Sequence, residues 1–316
     1  MSGPVFRVLK PGLLSTLQDL GRTGYQRLGV SPCGAMDAFA LRLANRMVGN
    51  PEGSVGLEIT LAGVELEVMQ DCEVALAGAD LAARMDSKPL ECWENCFAKA
   101  GQHLVFARRK RGARAYLSLA GGIAADQVLG SGSTDLRNGW GGLQGRNLRR
   151  DDELSVQNAA TTDRRSLWGV HPEALAEYRN PFLLRVLEGP QSQVFSSETR
   201  RQFMAAEFRI GANSNRMGYR LEGPSLDAPD REMISDATPM GAIQVLPNGE
   251  ALLLMADRQT VGGYPKIAVL ISADLPKAAQ LCPGHRVRFQ TVSLEEAHQA
   301  LVQQEKCLTL ELLERS

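Results

Sequence analysis

Cysteine, histidine and aromatic residues are scarce in this chain, and each scarcity removes a class of function. The 316 residues include six cysteines: Cys33, Cys72, Cys92, Cys96, Cys282 and Cys307. They are too sparse for the disulfide framework of a small secreted domain. Cys92 and Cys96 stand close together, but no second pair follows at ligand spacing, so the thiols read as buried side chains. The four histidines, His103, His171, His285 and His298, are scattered, and no metal site is expected. Aromatic residues make up 5% and the formal net charge is −1. With no basic stripe and few rings to stack on bases, nucleic acid is not an expected partner. No apolar run approaches a membrane span, and residues 1–7 lack the apolar core of a secretory signal. The expected location is the cytoplasm, with no membrane partner. Gly-x-Ser-x-Gly, the nucleophile elbow of a Ser-His-Asp hydrolase, is missing as well.

What is present points to a mainly β protein in two lobes. Apolar residues reach 44%, enough for two sizeable cores. The expected division is an N-terminal β-rich lobe over residues 1–170 and a C-terminal β-barrel lobe over 181–316, with the boundary in the polar stretch 161–180. Residues 12–34 are rich in glycine and polar side chains and read mostly as loop. Ala40, Leu43, Ala44, Met47 and Val48 recur at helical spacing, with Asp37 placed to cap the start and Gly49 to end the helix. Val64-Glu65-Leu66-Glu67-Val68 alternates as a half-buried strand does. Short strand candidates follow at 73–77, 81–85, 92–97, 103–107 and 115–120. Turn residues separate them at a spacing that favours a sandwich or barrel over a parallel α/β sheet. Residues 121–145 are a long glycine-rich passage, which in a compact protein is usually functional or disordered. Strands resume at 182–187, 207–210, 251–256, 267–272 and 286–290, with a short helix within 193–206. Ser293 and Glu296 form a capping box that starts a last helix at Leu294, its buried face supplied by Ala297, Leu301, Leu308 and Leu312.

Four segments concentrate polar groups where the chain leaves regular structure. The most informative is Asp257-Arg258-Gln259-Thr260-Val261-Gly262-Gly263-Tyr264-Pro265-Lys266, which follows the apolar run Ala251-Leu252-Leu253-Leu254-Met255-Ala256. Ionisable and amide groups at the end of a buried strand, beside a glycine turn, can grip a small polar ligand. The others are residues 18–25, residues 31–37, and residues 130–135 continuing to 141–146. Gly130-Ser131-Gly132-Ser133-Thr134-Asp135 reads either as a backbone nest for phosphate or as a tight turn; it lacks the spacing and lysine of a P-loop. Asp19 and Asp257 could orient an amide N–H or act as a base, while Arg22 and Lys266 could hold substrate charge. Tyr264, set before proline, could form a pocket wall. Cys33, between Pro32 and Gly34, is a weak candidate nucleophile because no histidine lies near it in sequence.

Taken together, these segments resemble one family. Gln18-Asp19-Leu20-Gly21-Arg22-Thr23-Gly24-Tyr25, Gly34-Ala35-Met36-Asp37, Gly130-Ser131-Gly132-Ser133-Thr134-Asp135, Arg216-Met217-Gly218-Tyr219-Arg220-Leu221, Gly241-Ala242-Ile243-Gln244-Val245 and residues 257–266 stand in the family's order. It is the KipA family, also called allophanate hydrolase subunit 2 or biotin-dependent carboxyltransferase, and the match runs from about Val5 to Phe289. Gly132 and Trp140 depart from its usual pattern. The resemblance implies cyclophilin-like β-barrel architecture and a KipI-like partner. In the 5-oxoprolinase branch it also implies a LamB/YcsF-like third component. The reaction there is ATP-dependent opening of 5-oxo-L-proline to L-glutamate, with ATP shared with the partner. ATP would phosphorylate the amide oxygen and make the ring carbonyl easier to attack. The alternatives it leaves open are carboxyl transfer from biotin to urea or a related amide, and relief of a KipI-like kinase inhibitor. The chain has no Met-Lys-Met acceptor, so covalent biotin is not expected on it. The site residues expected from chemistry and motif position are Asp19, Arg22, Asp257 and Lys266 for catalysis. Gln18, Gly34, Met36, Ser133, Thr134, Arg216, Gln259, Thr260, Gly262, Gly263 and Tyr264 are expected to bind the small amide substrate.

Overall fold

Side-chain alternation builds more of this chain into strands than into helices. The computed structural model describes residues 3–158, 167–169, 181–229, 233–309 and 313–315. Its strands are β1 (Pro4–Pro11), β2 (Leu14–Gln18), β3 (Gly56–Thr60), β4 (Val64–Val68), β5 (Cys72–Asp80), β6 (Ala83–Met85), β7 (Lys88–Pro89), β8 (Glu94–Ala98), β9 (His103–Phe106), β10 (Arg111–Leu119), β11 (Glu153–Ser155), β12 (Leu167–Gly169), β13 (Phe182–Glu188), β14 (Phe208–Ile210), β15 (Gly218–Glu222), β16 (Asp236–Ala237), β17 (Ala242–Val245), β18 (Ala251–Leu254), β19 (Val261–Gly262), β20 (Lys266–Leu270), β21 (Arg286–Thr291) and β22 (Leu313–Arg315). The helices are α1 (Ala38–Met47), α2 (Ser197–Ala205), α3 (Leu275–Ala279) and α4 (Leu294–Thr309).

The chain forms two compact units: Met1–Arg22 with Cys33–Ala176 and Leu310–Ser316, and Thr23–Pro32 with Glu177–Thr309. Neither unit is one continuous stretch of sequence, whereas a division at 1–170 and 181–316 assigns residues 23–32 and 313–315 the other way. Most of the polar stretch 161–180 lies outside the described residues, as does Leu312.

The first unit holds a six-stranded sheet, β11-β1-β4-β9-β6-β7, and a seven-stranded sheet, β2-β3-β10-β5-β8-β12-β22. One apolar cluster draws on both: Phe6, Val8, Leu66 and Val68 from the first, and Leu57, Ile59, Val74 and Leu117 from the second. In β4 the alternation is strict, with Val64, Leu66 and Val68 buried and Glu65 and Glu67 half-buried on the other face. Burying each such aliphatic side chain contributes on the order of 2 kcal/mol. Helix α1 starts as its sequence predicts, the Asp37 carboxylate accepting from the Ala40 N–H at 2.9 Å. Gly49, with φ 72°, follows its end. The stretch expected as loop around residues 12–34 is corrected at Leu14–Gln18, which forms strand β2 against β3. Its polar side chains are buried because partners meet them: the Ser15 hydroxyl donates to Pro11 O at 2.7 Å, and Asn147 Oδ1 accepts from the Ser15 N–H at 2.7 Å.

The second unit closes into a barrel, β13-β20-β17-β18-β15-β14-β21. The seam joins first strand to last, β13 lying parallel to β21 with Phe182 opposite Val287 and Leu184 opposite Phe289. Phe203 of α2 stacks on Phe289 at 4.9 Å and tilts against Phe208 at 5.7 Å. Helix α4 carries the capping box: Ser293 Oγ accepts from the Glu296 N–H, and the Glu296 carboxylate accepts from the Ser293 N–H. Among the described residues no helix is long and apolar enough to cross a membrane.

Candidate functional site

In the first unit, the turn after β2 is organised by one carboxylate. Asp19 Oδ1 accepts from the Gly21 N–H at 2.7 Å, Ser131 Oγ at 2.7 Å and Ser133 Oγ at 2.6 Å, and Oδ2 accepts from the Gly132 N–H at 2.7 Å. A residue from the end of β2 thereby fixes a turn more than a hundred positions away in sequence. Four of the five remaining N–H groups of that turn are also used. Ser131 donates to Val128 O, Ser133 to Ser131 Oγ, Thr134 to Leu17 O and Asp135 to Trp140 O. With five of the six N–H groups from Gly130 to Asp135 committed, a phosphate finds no array of spare donors, and the residues at this turn do not fit the triphosphate of ATP. The tight-turn reading is the one realised. Gly132 has a steric reason: a Cβ there would stand 2.7 Å from Val55 Cγ2 and 2.8 Å from Gln127 Nε2.

Arg22 is 1% exposed and faces backbone carbonyls. Nη2 donates to Ser133 O and Nε to Val128 O at 3.4 Å, while Nη1 has no partner among the described residues. Gln18 and Thr134 are buried too, Gln18 Nε2 donating to Thr16 Oγ1 at 3.0 Å and Thr134 Oγ1 to Leu17 O at 3.0 Å. Gly34, with φ 84°, packs onto the same turn; a Cβ would come 2.8 Å from Gly21 N. Met36 is held by a group the sequence reading missed. Glu58 Oε2 accepts from the Met36 N–H at 2.9 Å and from Tyr116 Oη at 2.7 Å, and Tyr116 Oη accepts from the Asp37 N–H at 2.8 Å. Burial, with Glu58 and Asp37 beside it, pushes the Tyr116 phenol well above its ordinary range. A lone glutamate inside the apolar strand Gly-Leu-Glu-Ile was the available signal.

The second unit gathers a denser polar cluster. Both oxygens of Asp257 are gripped by Arg216, with Nε and Nη2 each at 2.9 Å. This planar, bidentate geometry fixes the turn that leaves β18. Downstream, Thr238 Oγ1 donates to Gln259 O, Arg258 Nε donates to Thr238 O at 2.7 Å, and the Thr238 N–H donates to Thr260 O at 3.0 Å. β16 pairs with β19, Asp236 opposite Gly262. Gly262 lies against two amides: a Cβ would stand 2.7 Å from Gln259 Nε2 and 3.0 Å from Gln244 Nε2. Gln244 is fully buried; its Nε2 donates to Tyr264 O at 3.2 Å and its Oε1 has no partner among the described residues. Across the β17–β20 pairing stands Lys266, 1% exposed, its Nζ 3.2 Å from Asp236 Oδ2. The hydrogen bond from Lys266, with those from the Ala237 N–H and Gln191 Nε2, holds the Asp236 carboxyl below its ordinary value.

Lys266, Gln259, Thr260 and Gly262 thus share one neighbourhood with three residues that sequence reasoning did not single out: Gln191, Asp236 and Thr238. Gln244 lay inside a quoted motif without a role, and its signal was a single amide in an otherwise apolar strand. Gly263 is half-buried and Tyr264 is 42% exposed, contributing its carbonyl to Gln244. An ammonium, an unpaired amide oxygen and further amides can together recognise a small ligand carrying both a negative charge and a planar amide. A cleft of about 440 Å³ elsewhere in this unit, lined by Arg220, Glu222 and Glu250, contains none of the expected residues. There Arg220 already pairs with Glu250 in solvent at 2.5 Å.

A family model described as the carboxyltransferase domain, subdomain A and B, matches residues 28–291. The chain is 40% identical over 284 residues to the C subunit of the 5-oxoprolinase of Haemophilus influenzae, covering 90% of each. It is 38% identical over 309 residues to the C subunit of the Escherichia coli 5-oxoprolinase, covering 96% of each. Its fold is similar to part of the crystal structure of K. lactis urea amidolyase, with a TM-score of 0.89 and 32% identity. That match spans all of this chain and 21% of the enzyme's own chain.

Proposed function

We propose, because the chain belongs to the carboxyltransferase domain family of subdomains A and B, that it acts as the C subunit of a 5-oxoprolinase. The reaction is the ATP-dependent hydrolysis of 5-oxo-L-proline to L-glutamate, carried out together with a KipI-like protein and a LamB/YcsF-like protein. The strongest support is 40% and 38% identity to two proteins of that name, over 90% and 96% of each chain. The chemistry of the second unit suits the substrate. 5-Oxoproline carries a carboxylate and a planar ring amide. The buried Lys266 ammonium pairs with the carboxylate, and Gln244 Oε1 accepts from the ring N–H. Gln259 stands beside Gly262 to meet the ring carbonyl, whose oxygen gains charge as the amide is attacked. Asp257, held by Arg216, fixes the turn that carries Gln259. No step is assigned to ATP on this chain, since the turn at residues 130–135 does not fit it.

A second reading has its own support, the TM-score of 0.89 to urea amidolyase: transfer of a carboxyl group to urea or a related amide. Combining this chain with its purified KipI-like and LamB/YcsF-like partners, ATP and 5-oxoproline, and measuring glutamate, tests the first. An intact complex that forms no glutamate sinks it. Carboxyl transfer from a biotinylated carrier to urea would put the second in its place.

A further inference from the structure

Lys266 has more hydrogen-bonding capacity than its surroundings use. An ammonium offers three N–H donors. Among the described residues its Nζ meets one carboxylate, that of Asp236 at 3.2 Å. The partners are unequal. The Lys266 side chain is 1% exposed and sits on barrel strand β20, whereas that of Asp236 is 52% exposed and sits on the two-residue β16. Among the described residues, β16 pairs within the sheets with β19 alone. Gln191 joins the two, its Nε2 donating to Asp236 Oδ2 at 3.0 Å and its Oε1 accepting from the Lys266 N–H at 3.2 Å. A buried cation requires a counter-charge, and leaving it unpaired is costly. An ion pair with one half-exposed member is weak and readily exchanged. A second carboxylate arriving from solvent therefore meets a cation that must stay paired and a resident partner that is easily released.

We propose that Asp236 is a displaceable counter-ion of Lys266, whose place is taken by the substrate's own carboxylate, so that the Asp236 charge holds down the affinity for amides that bear one. This inference rests on the 5-oxoprolinase reading. A carboxylate-bearing ring amide replaces Asp236 charge for charge. A neutral amide such as urea or 2-pyrrolidone cannot, because moving Asp236 aside would strand the ammonium. A neutral amide binds beside the intact pair, so Asp236 competes only with a carboxylate-bearing substrate, and removing its charge relieves that competition.

The test is calorimetric binding of L-5-oxoproline and of 2-pyrrolidone to the full-length chain assembled with its partner proteins, at fixed ionic strength. Because the Asp236 side chain is half exposed and Asn keeps its acceptor oxygen, Asp236→Asn should fold. It should tighten 5-oxoproline about fivefold and leave 2-pyrrolidone unchanged. In a Lys266→Met background the same substitution should change neither. If Asp236→Asn weakens 5-oxoproline, or shifts both ligands equally, Asp236 orients Lys266 instead and the proposal fails while the 5-oxoprolinase reading stands. If the wild-type complex binds neither ligand, that reading fails and takes this one with it.

Discussion

Asp19 and Lys266 are both buried and both charged, yet they answer differently to substitution. Asp19 accepts four hydrogen bonds from Gly21, Ser131, Gly132 and Ser133. Asp19→Ala strands those donors and should cost about 3–5 kcal/mol, measured as a lower urea midpoint at an unchanged slope. Among the described residues Lys266 meets one carboxylate, so a side chain of similar volume replaces it at little cost. Lys266→Met should keep the melting temperature within a few degrees and lower glutamate formation at least about 100-fold. A melting temperature lowered in step with activity would make Lys266 a structural residue. At this scale the site was half legible. Lys266, Gln259 and Gly262 stood in one polar run behind an apolar strand. Gln191 and Asp236 lie in ordinary polar surroundings, and only the β13–β20 and β16–β19 pairings bring positions 191, 236 and 266 together.

Elements were legible where both ends carry a chemical mark. Helix α1 begins at a cap and ends before a glycine, and α4 begins at a capping box; neither depends on distant sequence. Asp37→Ala removes the acceptor of the Ala40 N–H and should destabilise the first unit by about 1 kcal/mol or more. Chemical denaturation of Asp37→Ala beside Asp37→Asn, which retains a capping oxygen, checks this; equal losses would deny the cap its role. Strand β2 was illegible for the opposite reason. Ser15, Thr16 and Gln18 look like loop residues, and their burial is compensated by Pro11, Asn147 and Thr134. The stretch 121–145 was expected to be functional or disordered; it is ordered by isolated bridges such as Asp126 to Gly142 and Asp135 to Trp140.

At the scale of the whole molecule, the half-buried thiols of Cys72, Cys92 and Cys96 set an alkaline limit. Burial pushes Cys72 and Cys92 up to about 12 and Cys96 up to about 11, against an ordinary 9.0. The unfolded chain ionises these thiols first, so their contribution is intact below about pH 9 and is lost as the pH rises through 11 and 12. Unfolding free energy should fall across that window, and alkylation of the native protein at pH 8 should be much slower than after denaturation. Equal alkylation rates would contradict the burial.

The barrel seam has a consequence for how this protein is made. Since β13 pairs with β21, the barrel cannot close until roughly a hundred further residues have followed β13 off the ribosome. Until β20 emerges, about 80 residues after β13, the nascent strand waits with both edges of its ladder and its apolar face uncovered. Ribosome stalling within that interval, or depletion of holdase chaperones, should therefore drive aggregation through β13 more than through any strand of the first unit.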